Sequence, residues 1–281
     1  MANYKIVISG YYGFNNAGDE AMLSAILQAL NRTFHSPDIT VISGSPQATA
    51  ATYGVHTVPR FSIGGILRAV FSSDLIISGG GSLLQDVTSW KSMIYYLSII
   101  TLGVLFRKQV FLYSQGIGPV RYRGIRIILK HVLNHVDAIT VRDKESKGFL
   151  QRLGVRRKIY TTADAVLSLA PADLSIGRRI LREKGIPEGK KKIGIAIRYW
   201  HHSKEWMDKL KSAISRLAAK EDAVIVCIPM QYPEDEKAAE SMNLEDDRVY
   251  FLDDDYSIEE LMSIIGNMDV LLGMRLHALI F

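Results

Sequence analysis

The chain has 281 residues, 48% of them hydrophobic and 22% charged, which excludes an intrinsically disordered protein and leaves room for two domains of ordinary size. Its net charge of +5 and pI near 9.1 point to anionic partners, but no helix-turn-helix, zinc-finger or RNP-like pattern accompanies the charge, so nucleic acid is not the expected partner. The single cysteine, Cys227 in "AVIVCIP", excludes a disulfide framework and a cysteine metal site, fits a reducing compartment and reads as a small buried hydrophobe.

"MANYKIVISG" is expected to enter a strand directly and not to be a secretory leader, which places the protein in the cytoplasm. From there, Val- and Ile-rich runs alternate with helix-period segments, the pattern of a parallel sheet covered on both faces, and hence of an α/β fold. Strands are predicted at "YKIVISG", "DITVISG", "DLIISGG", "QVFLYSQG", "DAITVRD" and "KIYTTAD", with a shorter one at "VHTVP", and helices include 17–32 and 124–136. The apolar run 93–106 falls short of the roughly 20 residues of a spanning helix. Its flanks, Lys91, Arg107 and Lys108, suit a helix at a membrane surface, but a core helix of a large α/β domain is the favoured reading.

Around 170–191 the pattern breaks into a Pro-, Gly- and Lys-containing stretch, which divides the chain into domains at 1–172 and 173–281. The second domain is read as strand 192–199, helix 204–219, strand "AVIVCIP", helix 234–243, strand "RVYFLDD", helix 257–267 and strand "DVLLGM". Ser257 and Glu260 stand at capping-box spacing. Because the chain stops in "RLHALIF", this domain is expected to be C-terminally incomplete and to belong to a longer protein.

The strands end in small or polar residues, and in doubly wound sheets the ligand edge lies there. "GYYGFNNAGDEAML" puts Gly10, Gly13, Asn16 and Gly18 at a strand-to-helix junction, where backbone N–H groups can face a ligand. Its spacing is neither that of a dinucleotide fingerprint nor that of a P-loop, and Asp19 and Glu20 can also be read as a helix cap. "SGGGSLLQD" with Gly80, Gly81 and Ser82, and "SQGIGP" with Gln115, add further small-residue loops and suggest one shared cleft. Arg142, Arg198 and Arg275 each close an apolar strand, the position of a carboxylate or phosphate clamp. His277, two residues after Arg275, adds a titratable group and is either a core histidine or an acid/base. His201 and His202 read as surface or rim residues.

In this order "GYYGFNNAGDEAML", "GGGSLLQD", "SQGIGP", "VRDKES…LQRLGV", "TADAVLSL" and "GMRLHALIF" resemble the polysaccharide pyruvyl transferase family, in its CsaB-type branch, over essentially the whole chain. The resemblance implies a GT-B-like fold of two Rossmann-like domains facing a cleft, with the acceptor on the first domain and phosphoenolpyruvate on the second. It implies transfer of pyruvate from phosphoenolpyruvate to two hydroxyls of a sugar as a cyclic ketal, with no metal and no other cofactor. In that branch the acceptor is N-acetylmannosamine of a lipid diphosphate-linked saccharide, a precursor of secondary cell-wall polysaccharide, modified at its 4 and 6 hydroxyls. The family's Arg and Arg-Leu-His positions map to Arg142, Arg275 and His277, the first two as anion clamps and the last as acid/base. Family members continue beyond "HALIF", with a further site residue such as Lys expected there. The rival readings are a GT-B glycosyltransferase that uses a nucleotide sugar and a carbohydrate- or anion-binding module without catalysis.

Overall fold

The computed structural model describes residues 4–87, 89–198, 204–220, 223–240 and 246–281. The chain divides into two compact units, Met1–Phe14 with Asp19–Leu169, and Asn15–Gly18 with Ala170–Phe281.

The first unit contains β1 (Lys5–Tyr12), most of α1 (Ala17–Thr33), β2 (Asp38–Ser43), α2 (Pro46–Tyr53), β3 (His56–Pro59), α3 (Ile63–Ser72) and β4 (Leu75–Gly79). It continues with α4 (Trp90–Leu105), β5 (Gln109–Gln115), α5 (Arg123–Leu133), β6 (Ala138–Val141), α6 (Lys144–Leu153), β7 (Ile159–Thr161) and a 3-10 turn at Ala165–Ser168. Its seven strands lie in the order β3-β2-β1-β4-β5-β6-β7, every pair parallel, with Ile8 of β1 opposite Val41 on one side and Ile77 on the other. A strand in such a sheet is covered on both faces, and alternate side chains of β1 enter different cores. Ile6 and Ile8 pack with Leu23, Ile26 and Leu30 of α1, while Val7 joins Ile66 and Val70 of α3, Ile99 and Ile100 of α4 and Leu129 of α5. Each fully buried Ile or Leu contributes roughly 1.5–3 kcal/mol relative to exposure.

The helix starts follow local chemistry. Ser62, Ser89 and Asp143 cap α3, α4 and α6 by accepting from the N–H groups of Gly65, Ser92 and Ser146. α4, read from sequence as a core helix in preference to a surface one, sends Met93, Tyr96, Leu97, Ile99 and Ile100 into the core. Among the described residues no helix is long and apolar enough to cross a membrane.

The second unit contains α7 (Leu174–Glu183), β8 (Lys191–Ala196), α8 (Lys204–Lys220), β9 (Ala223–Cys227), α9 (Glu234–Glu240), β10 (Val249–Phe251), α10 (Ile258–Gly266), β11 (Val270–Gly273) and α11 (Leu276–Ile280). Its sheet runs β10-β9-β8-β11, again all parallel. The molecule is therefore an α/β protein with two Rossmann-like parallel sheets. Ser257 and Glu260 close the capping box reciprocally, at 3.2 and 2.8 Å. Cys227 is buried in the apolar core, and its burial pushes the thiol pKa up to about 12.

α7 and α10 approach closely because position 177 is glycine. A Cβ there would stand 2.5 Å from the Ser263 carbonyl carbon and oxygen, both backbone atoms. The Gly177 N–H donates to Ser263 Oγ at 2.6 Å, and that hydroxyl donates to the Asp173 carbonyl at 2.6 Å. Alanine in a helix interior normally stabilises by about 1 kcal/mol relative to glycine. Here Gly177→Ala is expected to destabilise by about 1–3 kcal/mol through overpacking, read as a lower urea midpoint. A stabilised Gly177→Ala variant would show that the two helices do not touch at this point.

Candidate functional site

In the first unit the strand order makes β1 and β4 the point where successive connections leave in opposite directions. Ligands of doubly wound sheets bind outside the strand ends at such a point. Gly13 follows β1 here, and Gly80, Gly81 and Ser82 follow β4. Gly80 and Gly81 have φ of +94° and +51°, and a Cβ on Gly81 would lie 2.8 Å from Asp19 Oδ1. Glycine thus brings the β4 loop against the Asp19 carboxylate, an approach a side chain would block.

Glu20 is braced differently from a simple dipole cap. Its Oε1 accepts from the Gly13 N–H at 2.7 Å and its Oε2 from the Tyr53 hydroxyl at 3.0 Å. Burial holds its pKa above the ordinary glutamate value, against the lowering effect of those hydrogen bonds. Glu20 therefore fixes the Gly13 turn.

β5 ends in a bulge at which Ser114, a non-glycine residue, adopts φ +49°. Beyond it Gln115 is fully buried: its Nε2 donates to Ser78 Oγ at 2.8 Å, and its Oε1 has no hydrogen-bond partner among the described residues. At the end of β6, Arg142 Nη1 donates to Asp164 Oδ2 at 3.1 Å and Nη2 to Ser82 Oγ at 3.0 Å. Gly116 leaves room for this arginine, since a Cβ there would meet Ser82 Oγ at 2.7 Å and Arg142 Nε at 2.8 Å. Arg142, Ser82 and Gln115 are thus gathered at one edge of one sheet, as are Gly80, Gly81, Gly13 and Asp19.

An aromatic group at the same edge escapes sequence reasoning. The Arg60 guanidinium carbon lies 4.9, 4.8 and 5.1 Å from the ring centroids of Phe14, Phe61 and Tyr95, and Tyr11 stacks on Phe14 at 4.2 Å. Arg60 Nε and the hydroxyl of buried Tyr96 have no hydrogen-bond partner among the described residues. No spacing announces this cluster, because its members come from the end of β1 and the loop after it, the loop after β3, and α4.

The second unit repeats the order, with β8 and β11 at its switch point. Arg198 follows β8 and is exposed, and Arg275 and His277 follow β11. Arg275 Nε and Nη2 donate to the two oxygens of Asp235 at 2.8 and 2.6 Å, and Nη2 also reaches Gln231 Oε1 at 3.0 Å. Asp235 is 2% exposed and accepts from the N–H groups of Met230 and Gln231 at 3.1 and 2.9 Å. This partner was hidden in "YPEDE", where nothing sets Asp235 apart from Glu234 and Glu236.

Asn15–Gly18 belongs to this second unit. Asn16 bridges to Gln231, Asn16 Oδ1 accepts from the Gly18 N–H at 3.2 Å, and the Ala17 N–H donates to the Met230 carbonyl at 2.8 Å. His277 packs against this segment, so that a Cβ on Gly18 would stand 2.1 Å from its Nδ1 and 2.4 Å from its Cγ. Gly18 thus gives its space to the histidine. His201 and His202 lie outside the described residues. Among the described residues no group of three or more His, Cys, Asp or Glu is placed to hold a metal ion.

A family model described as polysaccharide pyruvyl transferase matches residues 16–281. Among solved structures, UDP-GlcNAc 2-epimerase from Methanocaldococcus jannaschii aligns with a TM-score of 0.66 at 12% identity, over 99% of this chain and 80% of that one. The S. aureus MnaA-UDP co-structure aligns with a TM-score of 0.63 at 11% identity, over 96% and 74%. UDP-GlcNAc 2-epimerase from Neisseria meningitidis bound to UDP-GlcNAc does so with a TM-score of 0.58 at 11% identity, over 96% and 77%. At such identities the likeness concerns the fold alone. No curated protein matches the chain.

Two substitutions test this geometry. A carboxyl whose pKa is raised in the folded state holds its proton more tightly there than in the unfolded chain, so its contribution to stability is present at low pH and is lost as pH rises from the ordinary value through the raised one. Glu20→Gln is therefore expected to remove part of the fall in urea midpoint above about pH 4, and an unchanged fall would contradict the burial of this carboxyl. Gly18→Ala is expected to cost about 1–3 kcal/mol, less in a His277→Ala background, with a coupling of about 0.5–3 kcal/mol in the double-mutant cycle. Strict additivity would separate the two residues.

Proposed function

Because the chain belongs to the polysaccharide pyruvyl transferase family, we propose that it transfers the pyruvate carbons of phosphoenolpyruvate to two hydroxyls of one sugar, forming a cyclic ketal and releasing phosphate. The acceptor in this reading is N-acetylmannosamine on a lipid diphosphate-linked precursor of secondary cell-wall polysaccharide, ketalised at positions 4 and 6 at the cytoplasmic side of the membrane, as in the CsaB-type branch. The added carboxylate would serve S-layer homology domains. The observation that carries the reading is the family match across residues 16–281, which includes the Arg275–His277 segment at the switch point of the second sheet.

The reaction begins with protonation of the methylene carbon, which leaves positive charge on the carbon bearing phosphate. One sugar hydroxyl adds there and loses its proton, phosphate departs with the C–O bond, and the second hydroxyl closes the ring. One hydroxyl proton replaces that delivered to the new methyl group, and the other leaves on phosphate. His277, seated against Gly18, is assigned as the proton carrier. Arg275 supplies a fixed cation for the carboxylate or phosphate on the second unit, with Arg198 beside it after the neighbouring strand. Three N–H bonds of Arg275 are committed to Asp235 and Gln231, which presets its orientation. On the first unit Arg142 with Ser82 forms a second cationic anchor, and Gly13, Asp19, Gly80, Gly81 and Gln115 are assigned to the acceptor side.

A nucleotide-sugar reading is favoured only by the UDP and UDP-GlcNAc of the structural neighbours. Phosphoenolpyruvate, and neither UDP nor UDP-N-acetylglucosamine, is expected to raise the melting temperature, at 100 times Kd by an amount equivalent to about 2.7 kcal/mol. Stabilisation by the nucleotides alone would move the protein to the glycosyltransferase reading. Phosphate release in the presence of a mannosamine-terminated lipid acceptor is expected to fall about 10²–10⁴-fold in His277→Gln while phosphoenolpyruvate binding persists. Arg275→Lys should instead weaken binding. Wild-type turnover in His277→Gln would remove the acid/base assignment.

A further inference from the structure

One face of the first unit bears exposed apolar side chains in a strongly basic setting. α3 packs beside α4, and α4 beside α5. α3 turns Ile66 and Val70 inward, yet Ile63, Leu67 and Phe71, spaced by four residues along the adjoining stripe, are 75%, 37% and 67% exposed. α4 has a like stripe in Trp90, Ile94 and Leu105, and α5 exposes Ile127 and Ile128 at 62% and 53%. Phe71 meets Phe106 edge-on at 5.7 Å, with Lys108 Nζ 5.5 Å from the Phe71 ring. Soluble monomers rarely leave apolar groups exposed along several adjacent helices without a use.

The charge distribution selects the occupant. Between Arg60 and Val136 the chain carries nine Lys or Arg and two carboxylates, Asp74 and Asp86, so this segment is +7 while the whole chain is +5. Both carboxylates are counted in that sum. Asp86 is 7% exposed and accepts from the N–H groups of Arg121 and Tyr122, and Asp74 accepts from the Lys5 N–H at the start of β1. A second copy of the chain docked through the same patch would oppose one basic face to another, which like-charge repulsion disfavours. An anionic lipid surface satisfies both features: apolar side chains enter the headgroup boundary while arginine and lysine meet phosphates.

We propose that the α3–α4–α5 face docks the protein peripherally on an anionic phospholipid bilayer. The inference stands on this face alone and not on the ketal chemistry. Vesicle co-sedimentation without any substrate tests it, comparing phosphatidylcholine with phosphatidylcholine containing one part in about three of phosphatidylglycerol. The protein is expected to bind the anionic vesicles and to lose that binding as salt rises. Arg123→Glu with Arg126→Glu should weaken binding by about tenfold or more, since each basic residue near such a surface contributes about fivefold. Ile63→Ser with Phe71→Ser, both exposed and tolerable to the fold, should weaken it even where salt is low, with an unchanged thermal melt. Equal binding to neutral and anionic vesicles, no binding to either, or variants that bind like wild type would overturn the proposal. A dimer seen by light scattering and abolished by Ile63→Ser with Phe71→Ser would overturn it too, and would make the face an interface between copies. Loss of phosphate release with retained vesicle binding would count against the proposed reaction only.

Discussion

Parallel strand pairing is the constraint on which the candidate site depends. Parallel neighbours must be joined by crossovers, and the crossovers cover both sheet faces with helices, which leaves the carboxyl ends of the strands as the place where backbone and polar groups stay accessible. In both sheets the first strand has the second on one side and the fourth on the other, so that the loops after β1 and β4, and after β8 and β11, diverge around a switch point. Gly13, Gly80–Ser82, Arg198 and Arg275 all occupy those four loops. Their chemistry differs, but their placement has one origin.

Arg275 and Arg142 are held by carboxylates before any ligand arrives. Asp235, itself buried and supported by two backbone N–H groups, takes both sides of the Arg275 fork, and Asp164 takes one end of Arg142. A buried pair of this kind adds little net stability because desolvation offsets the attraction, and removal of one partner costs about 3–5 kcal/mol. Its consequence here is orientation: the guanidinium plane is set by Asp235, and the chain then turns into α11 with His277 against Gly18. Glycine serves the same end in each unit. Gly18 yields to an imidazole, Gly116 to a guanidinium and Gly81 to a carboxylate, so three glycines of these strand-end loops leave space for neighbouring functional groups.

Charge and apolarity are distributed unevenly over the same molecule. The segment that builds α3, α4 and α5 is basic, and the remainder of the chain is slightly acidic. This division has no role in the hydrophobic cores, which contain none of those arginines or lysines. It belongs to the surface, and it sets where anionic material is drawn.

By itself the sequence determined the α/β class, the strand positions, the Ser257–Glu260 capping box and the glycine-rich loops at the strand ends, because periodicity, caps and glycine clusters are local properties of the chain. It also marked Arg142, Arg275 and His277, since an arginine that ends an apolar strand is visible without a fold. The order of the strands was not legible, and with it the knowledge that β1 adjoins β4 and β8 adjoins β11, because pairing between residues some seventy apart leaves no periodic trace. Nor could the sequence show that Asp235 and not Glu234 or Glu236 grips Arg275, that Glu20 braces Gly13 and Tyr53, or that Arg60 gathers Phe14, Phe61 and Tyr95. Apart from Glu20 with Gly13 and Arg60 with Phe61, those contacts join segments distant along the chain, and only the closing of each sheet under its helices brings them within hydrogen-bond or ring-contact distance.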